Sequence, residues 1–354
     1  MKNKYYDGTK LLSLMDINGD KPEIYMCTSN RSAGKTTYFG RMFINHWFKN
    51  KSKFLLLYRY KYEVKEVADA FFKDIGALFF PGYRMCEKPR CKDVFRELFV
   101  GPNDAEDDEL ESCGYALALS SANSVKRYSH LLSDVDRILM DEFQSETNKY
   151  IADEVSQLMS IHTSIARGQG KQVRYLPIYM LSNCVSLINP YYTALGISAR
   201  LNSQTKFLRG EGWVLEQGYV DTAAQQQKQS AFNRAFANAS NYLAYSTTNV
   251  YLNDNLAFIE KMTGKSTYLY TIKYKNTHYA VREFAREGII YCDDNADLSF
   301  PRKLSLGSDA HDVNYVMLNN NMITILNLRY FFEHGAFRFK NLACKECIMT
   351  LLSY

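Results

Sequence analysis

The chain has 354 residues, 46% of them hydrophobic and 23% charged, with a formal net charge of +5. This is the composition of a folded protein with an ample core and room for two domains; it excludes a disordered or fibrous chain, and no apolar run approaches the roughly 20 residues of a membrane helix. The mild positive excess permits a polyanionic partner without requiring one.

Taken in chain order, Met1-Lys-Asn-Lys-Tyr-Tyr-Asp7 lacks the apolar centre of a signal peptide, so a cytoplasmic location without membrane attachment is expected. Glu23-Ile-Tyr-Met-Cys-Thr-Ser-Asn-Arg-Ser-Ala-Gly-Lys-Thr-Thr37 then reads as a strand at Ile24–Thr28, a small-residue loop and a helix start. That is the layout of a P-loop. Main-chain N–H groups of Ser29, Asn30, Arg31, Ser32, Ala33, Gly34, Lys35, Thr36 and Thr37 would cradle phosphates, with Lys35 on the β/γ-phosphates and the Thr36 hydroxyl on Mg2+. Ser29 stands where the motif has its first glycine. The helix is supported by Phe39, Met42, Phe43 and Trp47 at helical spacing.

Further apolar strands are expected at Phe54–Tyr58, Tyr115–Leu119, Arg137–Met140 and Pro177–Leu181, with helical segments between them. Residues 80–112 read as an insertion, with the acidic run Asp104–Glu111 as a solvated loop or helix start. Arg137-Ile-Leu-Met-Asp-Glu142 would deliver two carboxylates at a strand tip, where ligands bind in open α/β sheets. Asp141 would hold Mg2+ and Glu142 would polarise the attacking water of ATP hydrolysis. A second Gly-Lys-Ser triplet, Gly264-Lys265-Ser266, follows an expected helix end and precedes a strand. Its order is inverted, so it reads as a helix C-cap.

The fold class is therefore α/β, a P-loop NTPase with a mostly parallel sheet covered on both faces. We place this domain at residues 1–197, a polar linker or hinge at 198–235, and an α+β domain at 236–354, with strands Tyr268–Tyr274, Thr277–Phe284 and Gly288–Cys292 and helices Met322–Phe332 and Leu342–Leu352. Eight scattered cysteines suit a reducing compartment. Cys86 and Cys91, separated by a four-residue gap, and Cys344 and Cys347, in an apolar helical pattern without a supporting histidine, do not read as zinc ligands.

The chain resembles the genome-packaging ATPases of small tailed phages with protein-primed linear DNA, relatives of large terminases. The carriers are Ser29-Asn-Arg-Ser-Ala-Gly-Lys-Thr36, Tyr58-Arg-Tyr-Lys-Tyr-Glu63, Met140-Asp-Glu-Phe143 and Leu181-Ser-Asn-Cys-Val-Ser-Leu-Ile-Asn-Pro-Tyr191. The resemblance implies an ATP-driven double-stranded DNA translocase acting as a pentameric ring in the host cytoplasm. It would work at the vertex of a procapsid, on a portal and with a packaging RNA. It makes Asn183 a γ-phosphate sensor, Arg167 the arginine finger acting in trans with Arg174 as second choice, Lys126 a further trans-acting residue, and Lys61 a DNA contact. Tyr6, within Tyr5-Tyr-Asp-Gly8 just before the first strand, and Arg59 at the end of the second strand are candidates for contacting the adenine.

The last domain should be a degenerate RNase H-like fold that binds DNA or the portal. Lys273, Lys275, Arg282, Arg286, Arg338 and Lys340 would form its basic face. The alternatives are a terminase with a working two-metal nuclease, for which Asp293, Asp294 and Asp297 are the crowded carboxylates, and a non-motor nucleotide switch.

Overall fold

The computed structural model describes residues 5–147, 149–167, 172–198, 200–201, 205–235, 258–274, 277–306, 312–317 and 321–352. Two compact units emerge. The first comprises residues 1–191 and 201–253, and the second residues 192–200 and 254–354.

In the first unit, a short helical turn α1 (Thr9–Leu12) leads to β1 (Ile24–Ser29) and α2 (Lys35–Asn50). Next come β2 (Lys53–Tyr58), α3 (Lys61–Phe79), β3 (Tyr83–Arg90), β4 (Phe95–Pro102) and β5 (Glu111–Ala118). A turn α4 (Ala122–Val125), β6 (Val135–Met140), α5 (Glu154–Ala166), β7 (Ile178–Asn183) and a short α6 (Pro190–Ala194), whose residues after Tyr191 are assigned to the second unit, follow. The hairpin β8 (Phe207–Gly210) and β9 (Trp213–Gln217), then α7 (Asp221–Gln229) and α8 (Ala231–Ala235), complete it.

These strands form one nine-stranded sheet in the order β3-β4-β5-β2-β6-β7-β1-β9-β8. The block from β5 to β9 is parallel, and both edges are finished by antiparallel strands. The central strands read as continuous apolar runs because both faces are covered: Phe54 to Leu57 and Ile138 to Met140 are all buried. Phe39, Phe43 and Trp47 of α2 pack on this sheet, with Phe43 edge-on to Phe54 at 5.7 Å.

Two expectations need correction. Residues 80–112 build the edge hairpin β3–β4 and begin β5, which starts four residues earlier than expected. Pro89 sits in β3, the edge strand of the sheet, the place where a sheet tolerates proline. The larger correction concerns residues 198–235. Instead of a linker they supply β8, β9, α7 and α8 to the first unit, with β9 paired parallel to β1 from Ile24↔Trp213 to Thr28↔Gln217. The reason is burial: every residue of Trp213-Val-Leu-Glu-Gln217 is buried, so this short run serves as an interior strand despite its polar flanks.

The second unit holds β10 (Thr267–Tyr274), β11 (Thr277–Phe284), β12 (Ile289–Asp293), β13 (Lys303–Ser305), β14 (Val316–Met317), α9 (Met322–Glu333), β15 (Phe337–Phe339) and α10 (Leu342–Leu352). Its sheet runs β14-β13-β10-β11-β12-β15, antiparallel across β10-β11-β12 and parallel elsewhere. Alternate residues Ile272, Tyr274, Tyr279, Val281, Ile290 and Cys292 share a core with Ile325 and Leu328 of α9 and Cys344, Cys347 and Ile348 of α10. All eight cysteines are free thiols.

Tight strand spacing gives a direct test. A Cβ on Gly114 of β5 would lie 2.4 Å from the Phe54 carbonyl oxygen in β2. Gly114→Ala is therefore expected to destabilise the first unit by about 1–3 kcal/mol through overpacking, read as a lower denaturation midpoint in urea.

Candidate active site

Parallel register brings the expected residues to one end of the sheet. Ser29 and Asn183 are Cα partners at the tips of β1 and β7, while Met140 pairs with Met180 just before Asp141. The loop from β1 turns into α2 through Ser32 at φ +59° and Gly34 at φ +92°. Ser29 itself stays in the strand, so the position needs none of glycine's conformational freedom, and its hydroxyl finds a use.

That use is to hold Lys35. The Lys35 ammonium is buried and donates to Ser29 Oγ at 2.8 Å, Asn183 Oδ1 at 3.2 Å and the Asn30 carbonyl at 3.5 Å. Burial pushes its pKa below the ordinary lysine value. Thr36 Oγ1 donates to Asp141 Oδ2 at 2.7 Å, and the Glu142 N–H donates to Asp141 Oδ1 at 2.9 Å. Burial pushes the Asp141 carboxyl up. The Glu142 side chain is exposed at the mouth of the site; partial desolvation, then the charges of Asp141, Glu146 and Glu63, push its pKa up as well.

Other loop residues tie the P-loop to its surroundings. Arg31 Nη1 reaches Glu146 Oε1 at 3.0 Å, spanning from the P-loop to the segment after β6. Asn30 makes a two-way pair with the main chain of Val220, accepting from its N–H at 2.9 Å and donating to its C=O at 3.2 Å. Ser32 Oγ accepts from Gln227 of α7 at 2.9 Å, Ala33 is buried, and Thr37 is half-buried in α2. The segment expected as a linker thus braces the P-loop.

Tyr6 is buried under the loop. Its N–H donates to the Ala33 carbonyl at 2.8 Å and its hydroxyl to Glu216 of β9 at 2.7 Å. It lines a cleft of about 240 Å³ with Tyr5, Asp7, Lys206, Glu216 and the stretch 218–221. The exposed rings at this cleft are Tyr5, which precedes Tyr6 in the stretch expected beside the base, and Tyr219.

Arg59 is turned inward. It is buried at the end of β2, and its guanidinium is used by Glu154 and by the carbonyls of Glu142 and Phe143. β6 and β7 separate β2 from β1, so Arg59 stands away from the cleft beside β1 and β9 that Tyr6 lines. Arg167, just after α5, is exposed. Arg174 folds back, its Nη2 donating to the Ile165 carbonyl at 3.0 Å and its N–H to the Ala166 carbonyl at 3.1 Å, which ties it to the C-terminus of α5. Lys61 is exposed at the first position of α3. The side chain of Lys126 and all of Lys275 lie outside the described residues.

In the second unit Gly264-Lys265-Ser266 runs into β10, and residues 260–266 are not helical, so the triplet follows a loop and not the expected helix end. The expected basic face is smaller than its sequence. Arg282 pairs with Asp293 at 2.8 Å, Arg338 with Glu260 at 2.8 Å, and Lys340 with Asp294. Lys273 lies over the Tyr315 ring at 5.5 Å, and Lys303 over the same ring at 5.6 Å. Among the described residues no group of three or more His, Cys, Asp or Glu side chains is arranged to hold a metal, and no helix is long and apolar enough to cross a membrane.

A strand–loop–helix with Lys35 and Thr36 at the helix start, facing Asp141 and Glu142 across a parallel sheet, defines a P-loop nucleotide-binding protein. Residues 1–353 match the model of the Podovirus DNA encapsidation protein (Gp16), and the chain belongs to that family. It is 26% identical over 344 residues to the DNA packaging protein of Bacillus phage phi29, covering 96% of this chain and 94% of the relative. The DNA packaging protein of Bacillus phage B103 is 25% identical over 317 residues, covering 88% and 90%. Among solved structures, the bacteriophage Phi-29 viral genome packaging motor assembly contains a chain with a TM-score of 0.63 and 22% identity, covering 99% of this chain and 100% of that one. The Phi-28 gp11 DNA packaging motor gives 0.65 at 17% identity, covering 100% and 99%. Both share the fold.

The Asn30–Val220 pair is open to test. Asn30→Ala leaves a buried N–H and C=O of Val220 without that partner. It is expected to cost about 1–3 kcal/mol in denaturant unfolding and to weaken binding of a fluorescent ATP analogue.

Proposed function

We propose that this protein is an ATP-driven double-stranded DNA translocase that packages a viral genome into a procapsid, hydrolysing ATP in a homo-oligomeric, pentameric ring. One observation carries the reading: Lys35, Thr36, Asp141, Glu142 and Asn183 converge at the ends of three neighbouring parallel strands. The family's role in DNA encapsidation supplies the purpose.

Phosphates would enter at the N-terminus of α2, where unpaired N–H groups and the helix dipole favour anions. Lys35 would leave Ser29 and Asn183 for them, since an anion favours its charged form. The Thr36 hydroxyl and Asp141 carboxylate are hard oxygen donors already in hydrogen-bond contact, a pair that suits Mg2+. When bound, the ion neutralises charge building on the β- and γ-phosphate oxygens. Glu142 would accept the proton of the attacking water, and its exposed position at the mouth suits that task. Asn183, freed from Lys35, would have its amide available to orient that water or sense the γ-phosphate.

The neighbour's finger is assigned to Arg167, which is exposed, in preference to Arg174, which is folded against α5. Lys61 at the exposed start of α3 is the proposed grip on the DNA backbone, non-specific and salt-sensitive. We assign the second unit to binding DNA, the portal or a packaging RNA, as a non-catalytic, degenerate RNase H-like domain. Its strand order and Lys273 and Lys303 beside Tyr315 support this, and Asp293 and Asp294 are engaged by Arg282 and Lys340. The site of action is the procapsid vertex in the host cytoplasm.

ATP hydrolysis should be stimulated by double-stranded DNA and fall on the order of a thousandfold in Lys35→Ala and Glu142→Gln proteins. Glu142→Gln should still bind ATP; normal turnover by it would remove Glu142 from the mechanism. Doping wild-type subunits with Arg167→Ala protein tests the finger: a loss steeper than the fraction added is expected, whereas strictly proportional loss means action in cis.

A further inference from the structure

Glu142, the assigned base, has a backbone φ of +53°. A non-glycine residue in this left-handed region is strained and stays there only where its surroundings hold it. Two contacts do so here. Its N–H is taken by Asp141 Oδ1, and its carbonyl accepts from Arg59 Nη1 at 3.1 Å. Arg59 also donates from Nη2 to the next carbonyl, that of Phe143, at 2.8 Å.

Arg59 is in turn immobilised. Its Nε lies 2.9 Å from Glu154 Oε2 and its Nη2 lies 3.1 Å from Glu154 Oε1, a two-point contact between buried side chains. Glu154, at the start of α5, also accepts from the Tyr191 hydroxyl at 2.7 Å and the Ile151 N–H at 3.1 Å. The main chain of Arg59 is fixed as well, since its N–H donates to Glu63 Oε2 at 2.9 Å. Only arginine's planar fork reaches a carboxylate and two carbonyls at once; a lysine has one nitrogen to offer.

We propose that Arg59, locked by Glu154 and Tyr191, is a positioning residue that sets the backbone of Glu142 and so aims its carboxylate at the attacking water. The inference rests on the reading of Glu142 as the base of ATP hydrolysis. A buried ion pair serving stability alone would have no need of the Glu142 carbonyl, and its removal would act independently of the Glu142 side chain.

The test is a double-variant cycle on the full chain, reading single-turnover ATP hydrolysis and binding of a fluorescent ATP analogue. Arg59→Gln is expected to slow hydrolysis on the order of a hundredfold while analogue affinity changes little, because only the aim of the base is lost. The decisive comparison is with Glu142→Gln: Arg59→Gln/Glu142→Gln should be no slower than Glu142→Gln alone, since there is no base left to aim. Multiplying losses, or undiminished hydrolysis by Arg59→Gln, would overturn the proposal. Should Arg59→Gln not fold cooperatively, Arg59→Met/Glu154→Gln removes both charges together and is measured with and without Glu142→Gln, with the same two outcomes. A wild type that binds ATP without hydrolysing it would overturn the hydrolase reading and this inference with it. An active wild type with multiplying losses overturns this inference alone.

Discussion

The register of three parallel strands governs the chemistry of this protein. β6, β7 and β1 are neighbours: Ser29 and Asn183 stand side by side at the tips of β1 and β7, and β6 ends at Met140 opposite Met180, three residues before Asn183. Because parallel strands all point the same way, the loops after them open on one edge of the sheet. The P-loop, the Asp141–Glu142 pair and Asn183 therefore meet without any contrivance of loop length. A one-residue slip of β6 would turn its side chains to the opposite faces and separate Asp141 from Thr36.

The second layer of organisation is polar and buried. Lys35 waits on Ser29 and Asn183, Asn30 is paired with Val220, Tyr6 with Glu216, and Arg59 with Glu154. Buried donors and acceptors are costly when unpaired, so each pair fixes its loop in one arrangement. These pairs lie at the ligand edge and not in the apolar centre, where Phe39, Phe43 and Phe54 pack. Stability and chemistry are thus separated: the sheet interior holds the fold, and the polar rim sets the geometry of the reacting groups. The second unit follows the same division, with apolar residues of alternate sheet positions against α9 and α10, and charged and aromatic side chains elsewhere.

Much of this was legible in the chain by itself. The strand starting at Ile24, the P-loop, the helix carrying Phe39, Phe43 and Trp47, and the strand ending in Asp141-Glu142 are written as local runs. Local runs determine local structure, because burial on both faces demands continuous apolar residues and a phosphate loop demands small ones. Family membership was legible in the same short motifs.

What only the tertiary structure decided lies between residues far apart in sequence. Lys35 and Asn183 are 148 positions apart, Asn30 and Val220 190, and Arg59 and Glu154 95. No local pattern shows that Trp213–Gln217 enters the sheet beside β1, or that Arg59 grips the backbone of Glu142. Periodicity records which face of an element is buried but not which element covers it. Partner choice comes from strand order and register, which exist only once the chain has folded.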